Sequence, residues 1–272
     1  MTEGVAFIDE SVQAKAVQMV EELGRMLVEW RGDMKMRTYV KKEENKLAAD
    51  LAADAFLRDT LALLTPTIPI VSEEDATHVS ARPPLYWLLD PIDGTASWRG
   101  GFAGFVTQIA LIADGEPCFG VVRAPILGKT FVTNPQGQAF LNGTRLPALQ
   151  ARGRIVVTDN TPQPHGICVP IMRALGTNDY HESGSLGLKM CLVADGTADL
   201  FIKDVVVRDW DVAPALAMLR AVGGFLTQAN GSPFLLAGGY DKPGGLLVAR
   251  DRELWRRAGV SVAEAKGWRF QA

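Results

Sequence analysis

Along the N-terminal part of the chain, apolar residues recur every three or four positions. Ala16, Met19, Val20, Leu23, Leu27 and Trp30 share one side of a helix predicted over 11–30, and Glu21, Glu22 and Arg25 share the other. A charged link over 31–46 leads to a second predicted helix ending at Leu64. Its expected buried face is Leu47, Leu51 and Ala55, with Asp54 and Arg58 as an exposed pair one turn apart. Thr65-Pro66 stops it, and the period falls to two. Residues 68–71 form a short strand running into Ser72-Glu73-Glu74-Asp75, and 85–89 form another running into Asp90. Two strand ends of this kind can deliver Glu73 and Asp90 to one place. Strands over 105–113, 117–124, 129–133 and 138–141 follow, with Asp114-Gly115 and Asn142-Gly143 as hairpin turns. In the first of these, Val106, Gln108 and Ala110 alternate with Thr107, Ile109 and Leu111. Strands so closely spaced have no crossover helices between them, so the first half is expected to be α+β with antiparallel pairing.

Periodicity is lost over 144–154, which places a domain boundary there and divides the chain into 1–146 and 147–272. The second half alternates strand and helix. A strand over 155–158 precedes a short helix over 171–175 stopped by Gly176, and Gly184-Ser185 opens a helix bearing Leu186, Met190 and Val193 that Gly196 ends. A strand over 198–202 is followed by a helix starting at Asp211, with Leu216, Leu219 and Val222 as buried candidates. Strands over 225–227 and 245–249 and a last helix from Arg252 complete an α/β pattern.

Composition narrows the partners. The apolar content of 47%, charged content of 22% and net charge of -3 are those of a soluble globular protein, with no expectation of nucleic acid or membrane as partner. The N-terminal residues lack the basic and apolar regions of a secretory signal, and no apolar run approaches the ~20 residues of a membrane span, so a cytoplasmic protein is expected. Cys118, Cys168 and Cys191 are odd in number and scattered, which suggests neither a disulfide framework nor a thiolate metal site. His78, His165 and His181 show no zinc-protease spacing. Any metal must rely on oxygen ligands, which suits magnesium or manganese.

Phosphate-loop, dinucleotide-binding and serine-hydrolase motifs are absent, and what remains is acidic: Glu73, Asp90, Asp93 and Asp211. Singly, each has a plain structural reading. Asp211 fits an N-cap, with Pro214 in the first turn, Asp93 before Gly94 fits a turn, and Asp50 fits a solvated helix position. Asp90 and Asp93 nevertheless stand three residues apart at the end of an apolar strand, and close buried carboxylates repel one another unless a proton, a partner or a cation neutralises them.

Together, Asp90-Pro91-Ile92-Asp93-Gly94-Thr95, the upstream Glu73-Glu74 and the downstream Trp210-Asp211-Val212-Ala213 closely resemble the inositol monophosphatase family of magnesium-dependent, typically lithium-sensitive phosphomonoesterases. The residues Gly137 to Gly143, Gly184-Ser185 and the run from Val193 to Asp199 are similar to further family signatures. The resemblance implies an α+β fold layered as an αβαβα sandwich, with the active site between the halves, and commonly a homodimer. It implies two to three Mg2+ ions, with Mn2+ as a possible substitute. Glu73, Asp90 and the Ile92 carbonyl would hold the first, and Asp90, Asp93 and Asp211 the second. Glu73, Thr95 and Asp50 form the implied catalytic set, Thr95 and Asp50 orienting and activating the attacking water. A small phosphorylated substrate would lie against Asp93, Gly94, Thr95, Gly184, Ser185, Lys189, Asp204 and Asp211.

This chain departs from the family pattern at two places. Leu47 replaces the usual threonine three residues before Asp50, leaving Asn45 or Glu44 to cap the helix, and Pro214 replaces a small residue. Asp204 stands where inositol-type members carry a hydroxyl-binding acid, whereas the run from Gly187 to Ala194 looks more like the bisphosphate nucleotidase branch. Lys189 is read as a surface helix residue with substrate contact as the alternative, and histidinol phosphate is a further candidate substrate. The lead expectation is hydrolysis of a small alcohol phosphate such as an inositol monophosphate. The rivals are a bisphosphate nucleotidase, an aspartyl-phosphate mechanism at Asp209, and a non-catalytic regulatory protein on the same scaffold.

Overall fold

A computed structural model describes residues 7–42, 46–75 and 82–271, so Glu44, Asn45 and His78 lie outside the described residues. Helix α1 (Glu10–Trp30) is capped by the Asp9 side chain, which accepts from the Val12 N–H at 2.8 Å. A small hairpin, β1 (Tyr39–Lys41) and β2 (Lys46–Leu47), leads into α2 (Ala48–Leu64). Then come β3 (Ile70–Ser72), β4 (Leu85–Asp93), α3 (Thr95–Gly100), β5 (Val106–Ala113), β6 (Glu116–Ala124), β7 (Lys129–Thr133), β8 (Ala139–Leu141) and β9 (Thr144–Arg145). Among the described residues these strands form a seven-stranded sheet in the order β3-β4-β5-β6-β7-β8-β9. It is an antiparallel meander apart from the parallel pair β3 and β4. The two predicted hairpin turns form as expected, with Asp114 and Asn142 at positive φ ahead of Gly115 and Gly143.

The remainder comprises β10 (Val157–Asp159), α4 (Cys168–Leu175), β11 (Tyr180–Glu182), α5 (Leu186–Ala194), β12 (Leu200–Lys203), β13 (Val207–Arg208), α6 (Asp209–Ala221), β14 (Phe225–Thr227), β15 (Asp241–Lys242), β16 (Leu246–Ala249) and α7 (Arg252–Lys266). Strands β11-β10-β12-β16-β14 make a five-stranded mixed sheet, and β13 pairs with β15.

Strand alternation explains the layering. Trp87, Leu89, Ile109, Leu111, Phe119 and Val121 point to one side of the large sheet and pack with Leu23, Leu27, Leu57 and Leu61 of α1 and α2. Their neighbours Tyr86, Leu88, Ala110, Ile112 and Val122 point to the other side, where they meet Met190, Val193, Leu216 and Leu219 of α5 and α6. The same central cluster takes Phe201 and Val248 from the small sheet, whose opposite face packs Leu200, Ile202 and Leu247 against α4 and α7. The result is the αβαβα sandwich.

Three predictions need correction. The buried face of α2 is Ala49, Asp50, Ala53, Leu57 and Leu61, whereas Leu51 and Ala55 are exposed. Both stripes repeat every four residues, but the buried one runs to two leucines near the helix end and so covers more apolar surface. It also turns Asp50 inward. Asp54 and Arg58 do pair, at 2.8 Å, but are half-buried rather than exposed. Helix α6 begins at Asp209, so Asp211 is its third residue and its carboxylate reaches back to the Arg208 N–H at 2.8 Å instead of capping from outside.

Candidate active site

Residues three apart in a regular strand point to opposite faces. Asp90 and Asp93 escape this because the register between β4 and β5 shifts between them, around Pro91. A bulge of this kind re-aims side chains beside functional sites. Both carboxylates come within reach of a single donor on β5: Gln108 Nε2 lies 3.2 Å from Asp90 Oδ2 and 3.3 Å from Asp93 Oδ2. Parallel pairing of β3 with β4 sets Ser72 opposite Leu89, and the Glu73 N–H donates to the Leu89 carbonyl at 3.1 Å. The two strand ends therefore deliver Glu73 and Asp90 side by side.

Gly94 follows in the left-handed conformation, φ +87°, and α3 starts directly after it at Thr95. The Thr95 hydroxyl is 3.1 Å from the Ile92 carbonyl and 3.5 Å from Asp50 Oδ1. Leu47 is the N-cap residue of α2 and offers no side-chain cap. Its N–H instead donates to Asp50 Oδ2 at 2.7 Å, which points the other carboxylate oxygen at Thr95. Leu47, where the resemblance leads one to expect a threonine, thus leaves the Asp50–Thr95 pairing in place.

The second half closes the site from above. The Asp93 carboxylate accepts from the N–H groups of Leu186 at 3.2 Å and Gly187 at 2.7 Å, the first two residues of α5, where helix N-termini favour an anion. Ser185 caps that helix by accepting from the Leu188 N–H at 3.1 Å. Gly184 sits against Gly104 backbone to backbone, with the Ser185 N–H donating to the Gly104 carbonyl at 2.6 Å. A Cβ at either glycine would overlap the other's backbone. Arg208, half-exposed at the start of α6, faces Glu73 at 3.7 Å and Asp241 at 3.1 Å.

The electrostatics are those of a crowded acidic site. Burial, followed by the neighbouring carboxylates, holds Asp90 and Asp211 well above the ordinary carboxylate range. Burial also raises Asp93, opposed by the N–H groups of Gly187 and Leu186. Burial pushes Glu73 up to about 7, with Glu74 adding to the effect, and Asp50 up to about 7 against the opposing Leu47 N–H. Asp90 Oδ1 is buried and has no hydrogen-bond partner. An orphaned anionic oxygen among further oxygen donors is what a hard divalent cation satisfies, so the residues fit one. Among the described residues, no three acidic, histidine or cysteine side chains already close around one point.

Other expected site residues lie elsewhere or differently. Lys189 is not on the surface: it is 3% exposed, 3.6 Å from Asp159 and over the Phe201 ring. Helix α5 is apolar almost all round and is buried on every side, which carries Lys189 inward with it. Asp204 is engaged by Lys266 at 2.9 Å. Asp209 is fully buried between Arg82 and Lys242, which leaves it no access to a phosphoryl group and removes the aspartyl-phosphate alternative. Sequence reasoning missed Gln108 as a site residue. The available signal was a polar amide on the core-facing side of an otherwise apolar strand.

Fold and site together define a two-sheet phosphatase with its acidic centre between the layers. The model of the inositol monophosphatase family matches residues 2–256, and the chain belongs to that family, whose members are phosphomonoesterases. It is 33% identical to the 3'(2'),5'-bisphosphate nucleotidase CysQ of Salmonella typhimurium over 224 residues, which is 79% of this chain and 89% of that protein. It is 30% identical to the Nus factor SuhB of the same species over 190 residues, 67% of this chain and 71% of that protein. Inositol monophosphatase II from Staphylococcus aureus superposes with a TM-score of 0.78 at 20% identity, covering 95% of this chain and 97% of that one. No helix among the described residues is long and apolar enough to cross a membrane.

Proposed function

We propose that this phosphomonoesterase is magnesium-dependent and acts on a 3'(2'),5'-bisphosphate nucleotide rather than on an inositol monophosphate. The observation that carries the cation dependence is the buried, unpaired Asp90 Oδ1, on a carboxylate whose charge Glu73, Asp93 and Asp211 all disfavour. Three things favour the nucleotide. The relatives named as bisphosphate nucleotidases match most of this chain. Asp204, in the position of the inositol hydroxyl ligand, is held by Lys266. Arg208, paired with Glu73 and Asp241, keeps a half-exposed guanidinium beside the site that a second anionic group could share.

Glu73, Asp90, the Ile92 carbonyl, Asp93 and Asp211 would hold the cations. Bound there, they would screen the phosphate charge and make water a better nucleophile at neutral pH. The chain's own residues do the rest. Thr95 can donate to Asp50 while accepting from the attacking water, and Asp50, with its pKa near 7, is suited to take the water's proton. Gly94, at φ +87° with Ser185 and Phe105 packed where a Cβ would lie, turns the backbone directly into α3. Solvent protonates the departing alkoxide, and no covalent enzyme intermediate forms. The proposal extends to a homodimer in the cytoplasm.

Hydrolysis of adenosine 3',5'-bisphosphate, 2'-AMP, inositol 1-phosphate and histidinol phosphate, each with Mg2+ and with or without Li+, tests the reading. The bisphosphate is expected to give the highest kcat/KM, with inhibition by Li+. Equal or faster turnover of inositol 1-phosphate returns the assignment to small alcohol phosphates. Absence of any turnover supports a non-catalytic role.

A further inference from the structure

Pro214 lies inside α6, four residues after Trp210, and has no N–H to offer the carbonyl one turn earlier. The Trp210 carbonyl instead accepts from Gln108 Nε2 at 3.2 Å. The same nitrogen is 3.2 Å from Asp90 Oδ2, 3.3 Å from Asp93 Oδ2 and 3.5 Å from the Asp211 carbonyl. With two protons and four acceptors around it, only the nitrogen end of the amide can face this way, since an oxygen there would meet acceptors alone. Gln108 is fully buried, and its Oε1 rests against the Cα of Gly187, where any side chain would collide with it. One amide therefore touches the end of β4, which carries Asp90 and Asp93, the start of α5, whose first N–H groups hold Asp93, and the first turn of α6, which carries Asp211.

We propose that Gln108 is a positioning residue for the cation site and that Pro214 is its counterpart, freeing the helix carbonyl that Gln108 clamps. The clamp fixes the first turn of α6, and with it Asp211, at a set distance from Asp90. It also occupies Asp90 Oδ2 and leaves Oδ1 for the cation. A neutral amide suits this task because it holds carboxylates without cancelling their charge. A lysine or arginine there would compete with the ion. This inference rests on the cation dependence proposed above.

The test is divalent-cation binding by the full-length protein, read by Mn2+ electron paramagnetic resonance and by calorimetry with Mg2+, alongside thermal midpoints in EDTA. Gln108→Met keeps the length and removes the donor. It is expected to weaken Mn2+ binding about 10- to 100-fold, the range seen when groups supporting metal ligands are lost, with KM for substrate at saturating Mg2+ unchanged. Pro214→Ala returns an N–H to the Trp210 carbonyl in competition with Gln108 and is expected to weaken binding less. Because both changes release one clamp, the double variant should bind no worse than Gln108→Met alone. Wild-type Mn2+ affinity in Gln108→Met, or additive losses in the double variant, overturns the proposal. If Gln108→Met does not fold, Pro214→Ala decides alone, and unchanged Mn2+ affinity there overturns it. Failure of the unaltered protein to bind Mn2+ overturns the cation reading itself.

Discussion

Asp90→Asn separates stability from activity. Asp90 is wholly buried, one of its oxygens has no partner, and Glu73, Asp93 and Asp211 all disfavour its charge. Folding the metal-free protein must therefore either crowd an anion among anions or take up a proton. The second route sets a ceiling on the cost. From an ordinary value of 3.8, protonation at pH 7 costs at most about 4 kcal/mol, at 1.36 kcal/mol per pH unit. Asparagine avoids that cost. Its oxygen can accept from Gln108 Nε2 as Asp90 Oδ2 does, and its Nδ2 replaces the orphaned oxygen with a donor facing carboxylates. The metal-free variant should be stabilised by about 1–3 kcal/mol, a rise of roughly 2–4 °C in Tm per kcal/mol for a chain of this size. Scanning calorimetry in EDTA measures it. Mg2+ at 100 times its Kd should add about 2.7 kcal/mol to the unaltered protein and much less to the variant, which should be inactive. A variant that melts at or below the unaltered protein in EDTA would refute the claim that these carboxylates repel one another in the absence of a cation.

Further expectations follow from the same geometry. Gly184→Ala drives a Cβ into the Gly104 carbonyl, with backbone on both sides and no flexible atom to yield, and should cost at least about 2 kcal/mol in urea denaturation together with most of the activity; a variant of full stability and full kcat contradicts the close packing. Asp50 and Glu73 protonate near pH 7 when folded and near their ordinary values of 3.8 and 4.5 when unfolded. Their contribution is therefore complete below about pH 4 and lost as pH rises through about 7, so the metal-free Tm should fall between about pH 4 and pH 7, and saturating Mg2+ should flatten that slope. A metal-free Tm that rises over this interval would count against it. Arg82→Met leaves buried Asp209 with Lys242 as its remaining cation and should destabilise by about 3 kcal/mol in thermal denaturation, whereas a change under about 0.5 kcal/mol would show that the pair is dispensable.

Much of this architecture is legible in the chain, because alternation in the strands is strict. Val106 and Ala110 against Ile109 and Leu111 already separate the two faces of the large sheet. The strand ends at Glu73 and Asp90 were readable as convergent, and the parallel pairing of β3 with β4 accounts for it. The pairing of Asp90 with Asp93 was expected from their closeness in the chain, but the means was not, since regular strand spacing puts them on opposite faces and the bulge is what brings them together. The buried face of α2 was ambiguous because two stripes with the same repeat compete, and their difference in covered area depends on the sheet beneath. Lys189 was misread although the signal was present, in the apolar residues surrounding it on α5. Gln108 could be noticed as out of place, but its use depends on a carbonyl freed a hundred residues later, which no local pattern reveals.

The central helical layer has a mechanical implication. Helices α5 and α6 are packed into the same apolar cluster by both sheets at once, and Asp93 from one sheet is gripped by the first amides of α5. A layer clamped from both sides cannot serve as a hinge without tearing one of its faces open. Any movement that admits substrate or releases product must then occur outside this layer. For an enzyme built this way, side chains anchored in the layer, such as Asp211 on α6, keep their places through any such movement.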